Sequence, residues 1–360
     1  MSWIRARSGS KNFPAQLQAR LGRIAYLGAS VTVQQQGYRP LLHLKLVELF
    51  DRPHLPVNAG IGGIGVIGGV FLIDELVLRR RPAYCFIEFS TADYAGPIPL
   101  QESAAALEGV LHKLAAIDCK ACLLHLYRAD LTYAQLPPIV AAFEAVAENY
   151  QAPSLHVGAL LAEQFDAGLL ERGQLYRDLV HTTPAGASQV AELVLDGLCT
   201  VWNAAPQQSH AVALTAPPLH PHHYQSTAIV SADPDMVVGD GEWHLGRFRD
   251  TYAFVQVGFA NTLVLQCADT LVGMVVVVGP EAGVVEVTSP AGTQRYQLWD
   301  QWCHYDRLQT VLFWPHFAQG TRLQVRLVDV PVDKSGVSQL DPPVGESKKA
   351  LKVIGFMVKK

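Results

Sequence analysis

The chain has 360 residues, 49% of them hydrophobic and 17% charged, with a formal net charge of −4. That length favours two domains, and the composition excludes general disorder. With no acidic or basic tract of any size, nucleic acid is not an expected partner.

The N-terminal "MSWIRARSGSKNFP" carries positive charge with no apolar run behind it, so it does not read as a secretory signal. The apolar runs around Leu193 and Val275 are too short to span a membrane. Six cysteines in a chain of this size do not form a disulfide framework. Cys119 and Cys122 form a C-x-x-C, but Cys122 opens the run "ACLLHLY", which reads as a buried strand, and no second pair completes a zinc site. Both are expected to be core thiols, and the chain is expected to be cytoplasmic, with no membrane partner.

From residue 23 to 204, strand and helix signals alternate. Strands are expected at "RIAYL", "LPVNA", "YCFIEFS", "ACLLHLY" and "SLHVGAL", and helices at "LLHLKLVELF", "VFLIDELVLRR" and "SAAALEGVLHKLAAI". In the last of these, Leu107, Val110, Leu111 and Leu114 recur at helical spacing and make one apolar face. Continuous apolar strands separated by helices imply a parallel sheet covered on both faces, with right-handed crossovers. A final helix is expected after His181, capped by Thr183 with Pro184 in its first turn.

Residues 205–224 mix Pro, His, Gln and Ala without periodicity and read as a linker, its His220, His222 and His223 solvated rather than metal-binding. From 225 onward the strand signals are short and close together, including "YAFVQVGF", "TLVLQC", "GMVVVVG", "GVVEVTS", "TVLFWP" and "RLQVRLVDV". Helical patterns are absent there, so residues 225–360 are expected to form an antiparallel sandwich or jelly roll. Lys348, Lys349, Lys352, Lys359 and Lys360 read as a solvated tail.

Four segments of the first domain become informative together: the first three lie at the carboxyl edge of such a sheet, where ligands of open α/β folds bind, and the loop of the fourth can close over it. They are "LGASVT" with Ser30, "VNAGIGG" with Gly63, "FIEFSTAD" with Ala92, and "DLVHTTPAG" with Asp178 and His181. Singly, each residue has an ordinary explanation in turn chemistry or solvation. The ordered set, over roughly residues 21–204, resembles the SGNH hydrolases, the GDSL-type esterases. That resemblance implies a three-layer αβα, flavodoxin-like domain at residues 1–204. It further implies Ser30 as nucleophile, His181 as general base and Asp178 as the acid orienting it. The backbone N–H groups of Ser30 and Gly63 would form the oxyanion hole, and no metal or organic cofactor is implied.

Two blocks depart from the family. Ala29 stands where an acid usually precedes the serine, and Ser90-Thr91-Ala92-Asp93 replaces the Gly-x-Asn-Asp block. Ala92 therefore occupies the place of the side-chain oxyanion donor, whose loss typically costs about 10²–10³ in rate. Thr91 and Asp93 are expected to border the substrate. The aromatic segment after "VVVVGPEAGVVEVTS" is weakly similar to jelly-roll modules of carbohydrate esterases, and Trp299, Trp302, Tyr305 and Arg307 are its candidate sugar contacts. The expected activity is removal of O-acyl, above all O-acetyl, groups from a carbohydrate. A sugar O-acetyltransferase using the same residues is the alternative, and a carbohydrate-binding scaffold impaired at Ala92 is a third reading. Glu88, an acid in an apolar strand, is expected to be a hydrogen-bonded support for the loops.

Overall fold

The computed structural model describes residues 3–7, 22–94, 98–204, 217–332 and 349–360. The chain divides into two units, Met1–Gln225 and Ser226–Lys360.

In the first unit, β2 (Arg23–Gly28), β3 (Leu55–Gly60), β4 (Tyr84–Glu88), β5 (Lys120–Leu124) and β6 (Ser154–Leu155) form a parallel sheet. A two-residue strand, β1 (Ile4–Arg5), adds antiparallel to β6, giving the order β1-β6-β5-β4-β2-β3. The parallel strands alone follow the flavodoxin-like order, which reverses direction between β2 and β4. Helices connect them: α1 (Ser30–Val33) and α2 (Tyr38–Phe50), α3 (Val66–Leu76), α4 (Leu100–Ala115) and α5 (Pro138–Asn149). Beyond β6 come α6 (Val157–Asp166), α7 (Arg172–Leu175) and α8 (Pro184–Ala204). β2 and β4 are buried almost throughout because helices cover both faces of the sheet.

The periodic segments form the elements their spacing implies. Leu107, Val110, Leu111 and Leu114 are buried on α4, and α8 buries Ala187, Val190, Val194, Leu198 and Val201 along one stripe. Each such Val or Leu contributes about 1.5–3 kcal/mol by leaving water. Thr183 caps α8, its Oγ1 accepting from Gly186 N at 3.1 Å. The run "SLHVGAL" departs from expectation: only its first two residues are strand, and α6 begins at Val157. A short apolar run does not by itself distinguish strand from helix, and "LLAEQF" continues this one at helical period. Cys119 and Cys122 are free and buried, and burial pushes the Cys122 thiol up to about 12.

The second unit is all β apart from a single 3₁₀ turn among its described residues. One sheet runs β15 (Arg307–Phe317), β12 (Thr270–Val278), β17 (Leu351–Lys359), β10 (Tyr252–Val257) and β9 (Trp243–Phe248), with β7 (Thr227–Ser231) also pairing with β17. The other runs β14 (Gly292–Gln297), β13 (Val284–Ser289), β16 (Arg322–Val328), β11 (Asn261–Gln266) and β8 (Val237–Gly239). All pairings are antiparallel, and the core takes alternate residues of both sheets, among them Val255, Val257, Leu263, Val285, Val287 and Phe313.

Three expectations are corrected. The Lys-rich end is not a solvated tail: residues 351–359 form β17 in the interior of a sheet, with Val353, Phe356, Met357 and Val358 fully buried. Lys352 is held there by Glu281 at 3.0 Å and Asp306 at 3.1 Å, so its charge is neutralised at the strand's start. Lys348 lies outside the described residues. Residues 217–224 of the expected linker pack against the first unit: Tyr224 is buried, and His220 Nδ1 lies 2.7 Å from the buried Glu108 carboxylate. Glu108 also accepts the backbone N–H groups of Leu219 and His220, at 2.7 and 2.9 Å, and the Tyr150 hydroxyl at 3.1 Å, so the buried acid of α4 is satisfied. Residues 205–216 lie outside the described residues. Finally, Trp299 belongs to the sandwich core, only 4% exposed, and offers no face to a sugar. Arg307 is likewise buried and paired with Asp300. Trp302 and Tyr305 are exposed.

Candidate active site

Strand β2 ends at Gly28, and the chain turns directly into α1. A Cβ at Gly28 would lie 2.4 Å from Thr32 Oγ1 and 2.5 Å from the Glu88 carbonyl oxygen, so the close approach of β2, β4 and α1 requires glycine. Ala29 N–H donates to that same carbonyl at 3.3 Å, and Ala29 C=O accepts from Thr32 and Val33. The turn places Ser30 as the first residue of α1, just past β2, where the strand order reverses.

The loop before α8 brings the other two residues. Asp178 Oδ1 accepts the backbone N–H groups of Val180 at 2.9 Å and His181 at 2.7 Å, folding the segment into a tight turn. The three-residue spacing leaves Oδ2 2.8 Å from His181 Nδ1. On the far side of the ring, His181 Nε2 lies 2.9 Å from Ser30 Oγ. Burial pulls the Asp178 carboxyl upward, but the His181 and Val180 N–H donors and the facing imidazole outweigh it, so its pKa falls below the ordinary value. An ionised Asp178 fixes the proton on Nδ1 and leaves Nε2 as an acceptor toward Ser30. The arrangement can therefore take a proton from a hydroxyl and hold the resulting imidazolium.

Gly63, in the loop after β3, has φ +80°, a conformation that favours glycine. The third block, residues 90–93, follows β4 and is clamped from within. Glu88 is fully buried; its Oε1 accepts Thr91 N–H and its Oε2 accepts Thr91 Oγ1–H, both at 3.1 Å. Asp93 Oδ2 accepts Val66 N–H at 2.7 Å, and its Oδ1 accepts Ser103 Oγ–H at 3.4 Å. Thr91 and Asp93 thus spend their side chains inside the loop rather than toward a substrate, contrary to the expectation for both. The backbone N–H of Ala92 donates to Phe89 O at 2.9 Å. Burial is the first cause raising both acids, Glu88 from 4.5 and Asp93 from 3.8, each to about 7.

Sequence reasoning passed over two features at the carboxyl edge. Arg128, after β5, reaches back to Thr91, where its Nη1 donates to the carbonyl oxygen at 3.2 Å. His125 and His156, after β5 and β6, meet Glu144 of α5, with Oε1 3.0 and 3.3 Å from their Nε2 atoms. Among the described residues this is the one His/Glu group whose ligand atoms lie within 4.8 Å of one another. The other carboxylate oxygen, however, faces Arg5 at 2.9 Å and Arg7 at 2.7 Å. A dication would sit beside two guanidiniums, so the chemistry of the group fits a buried charge hub that anchors β1, not a metal centre.

No family model matches the sequence, and no curated protein sequence does. Among solved structures, a two-domain esterase active on acetylated mannans, co-crystallised with mannopentaose, aligns over 99% of this chain and 96% of its own, with a TM-score of 0.74 and 18% identity. A second structure of a two-domain esterase active on acetylated mannans aligns over 96% of this chain and 93% of its own, again with a TM-score of 0.74 and 18% identity. An acetyl xylan esterase covers 48% of this chain at 19% identity, with a TM-score of 0.41. The chain shares the two-domain fold of the esterase active on acetylated mannans. Both parts of that esterase fold, the parallel α/β sheet expected from the resemblance to SGNH hydrolases and the antiparallel sandwich, are present here. No helix among the described residues is long and apolar enough to cross a membrane.

Proposed function

We propose that this chain is a serine esterase that removes O-acetyl groups from a carbohydrate. The observation that carries the reading is the relay Ser30 Oγ, His181 Nε2, His181 Nδ1 and Asp178 Oδ2, with separations of 2.9 and 2.8 Å. Ser30 Oγ attacks the ester carbonyl while His181 Nε2 takes its proton, and Asp178 stabilises the imidazolium that forms. The carbonyl oxygen becomes an oxyanion facing the backbone N–H groups of Ser30 and Gly63. Collapse expels the sugar alkoxide, which leaves with the proton held by His181, and the acetyl group remains on Ser30 as an ester. Water, deprotonated by His181, then attacks the acyl-enzyme, releasing acetate and restoring the serine. Ala92 leaves the hole with backbone donors only, so turnover is slower than in an enzyme with the side-chain amide, by about 10²–10³. The two-domain fold shared with an esterase active on acetylated mannans supports a carbohydrate as the alcohol, and acetylated mannan is the first polymer to try.

The test is acetate release from acetylated manno-oligosaccharides and from p-nitrophenyl acetate, with no added acceptor, by wild type and by Ser30→Ala. Release that vanishes in Ser30→Ala supports the reading. Equal rates for the two proteins, both folded, refute it and favour a binding role for the same surface.

A further inference from the structure

We propose that Arg128 is a positioning residue that holds the third-block loop and the Asp178–His181 loop in one mutual register. The kinetic part of this inference rests on the esterase reading; its structural part does not.

Arg128 and Ala129 form a bridge between the two loops. On one side, Arg128 Nη1 donates to Thr91 O at 3.2 Å. On the other, Ala129 N–H donates to Leu179 O at 2.8 Å, within the turn that Asp178 builds for His181. The bridge itself is stiffened. Asp130 grips the guanidinium, Oδ1 lying 2.7 Å from Nε and Oδ2 accepting from Nη2 at 3.0 Å. The Tyr94 ring lies 3.6 Å below the guanidinium carbon, and Arg128 N–H donates to Tyr133 OH at 2.9 Å. A planar guanidinium serves an acid, a carbonyl and an aromatic face at once, which an ammonium cannot do.

Thr91 is therefore held on both sides of its Cα. Its N–H and hydroxyl go to Glu88 and its carbonyl to Arg128. The loop that borders the oxyanion position and the loop that carries the base belong to different parts of the chain. Their relative placement decides whether proton transfer and oxyanion stabilisation happen on the same substrate atom set. A misplacement of about 1 Å in such a constellation can cost about 10² in rate.

The test compares wild type, Arg128→Met, Arg128→Lys, Arg128→Ala and Ser30→Ala. On p-nitrophenyl acetate, Arg128→Met should lose about 10² in kcat with KM essentially unchanged, and Arg128→Lys should fall between it and wild type. Free guanidinium ion should restore part of the activity of Arg128→Ala and none of that of Ser30→Ala. Amide hydrogen exchange should quicken in Arg128→Met both at residues 88–94 and at 176–183, while α4 is unaffected. Exchange that quickens in only one of those segments, or in neither, overturns the coupling. So does an unaltered kcat in a folded Arg128→Met when wild-type turnover depends on Ser30. If wild type shows no Ser30-dependent turnover, the esterase reading fails, and the exchange pattern alone decides for or against the bridge.

Discussion

Glu88→Gln should make the protein less stable in mild acid and more stable in mild base. The Glu88 carboxyl is fully buried at the end of β4, and burial raises its pKa from 4.5 to about 7, with Asp93 adding to the rise. The folded state therefore holds a proton that the unfolded chain has already released, and wild-type stability falls as pH rises from the unfolded value through about 7. Above that range the buried charge costs on the order of 3 kcal/mol, from the shift at 1.36 kcal/mol per unit. Glutamine carries no charge and removes this term. It also replaces one of the two oxygens that accept from Thr91 with an amide group, a pH-independent loss of about 1 kcal/mol. The difference should then be about −1 kcal/mol near pH 4, close to zero near pH 5 and about +2 kcal/mol near pH 8. Asp93 titrates over the same range and stays in the variant, so some pH dependence remains. Urea unfolding at closely spaced pH values between these limits measures it directly. A difference that does not change with pH would refute the claim that Glu88 is buried at the expense of its charge.

Two other outcomes follow from the site. Asp178→Asn should lower kcat for an acetate ester by about 10²–10⁴ without a matching change in KM, since the amide favours the wrong imidazole tautomer. In wild type the acid limb of the rate profile should belong to a group other than Asp178, whose carboxyl is held below its ordinary range; a limb abolished by Asp178→Asn alone would contradict this. Ala92→Asn should raise kcat, by up to about 10²–10³ if the amide reaches the oxyanion, because the clamp on Thr91 and Asp93 holds the loop in place to receive it. The gain should vanish when Ser30→Ala is combined with it, and an unchanged rate in the single variant would mean that the hole is already filled.

Elements with a clear period were legible in the sequence, as α4 and the continuous apolar strands β2 and β4 show. β1 was not, because two residues carry no period; it exists through the Arg5 and Arg7 contacts with Glu144. β17 was obscured by lysines at its ends, whose charges hide seven residues of strand pattern until Glu281 and Asp306 are seen to neutralise Lys352. The burial of Trp299 was equally hidden, since an aromatic near exposed Trp302 gives no sign of which face of the sheet it joins. At the site, Ser30, Asp178 and His181 stood out because residue type and chain order both carry information there. Arg128 left no such trace: it acts on the carbonyl of Thr91, which any residue would supply. Contacts from side chain to distant backbone have no sequence pattern.

The position of β17 also has a bearing on how the second unit forms during synthesis. Its residues come after the other described sandwich strands in the chain, yet they pair with β12, β10 and β7 in the interior of the sheet. Until they emerge, β12 and β10 present unpaired strand edges and the apolar faces that Val276 and Val255 will later bury. Among the described residues, the first unit has all of its strands by residue 155 and its last helix by residue 204, so it can close while the nascent sandwich waits. Such a half-built sheet, dependent on long-range pairing, is the slow and association-prone stage of the chain's maturation.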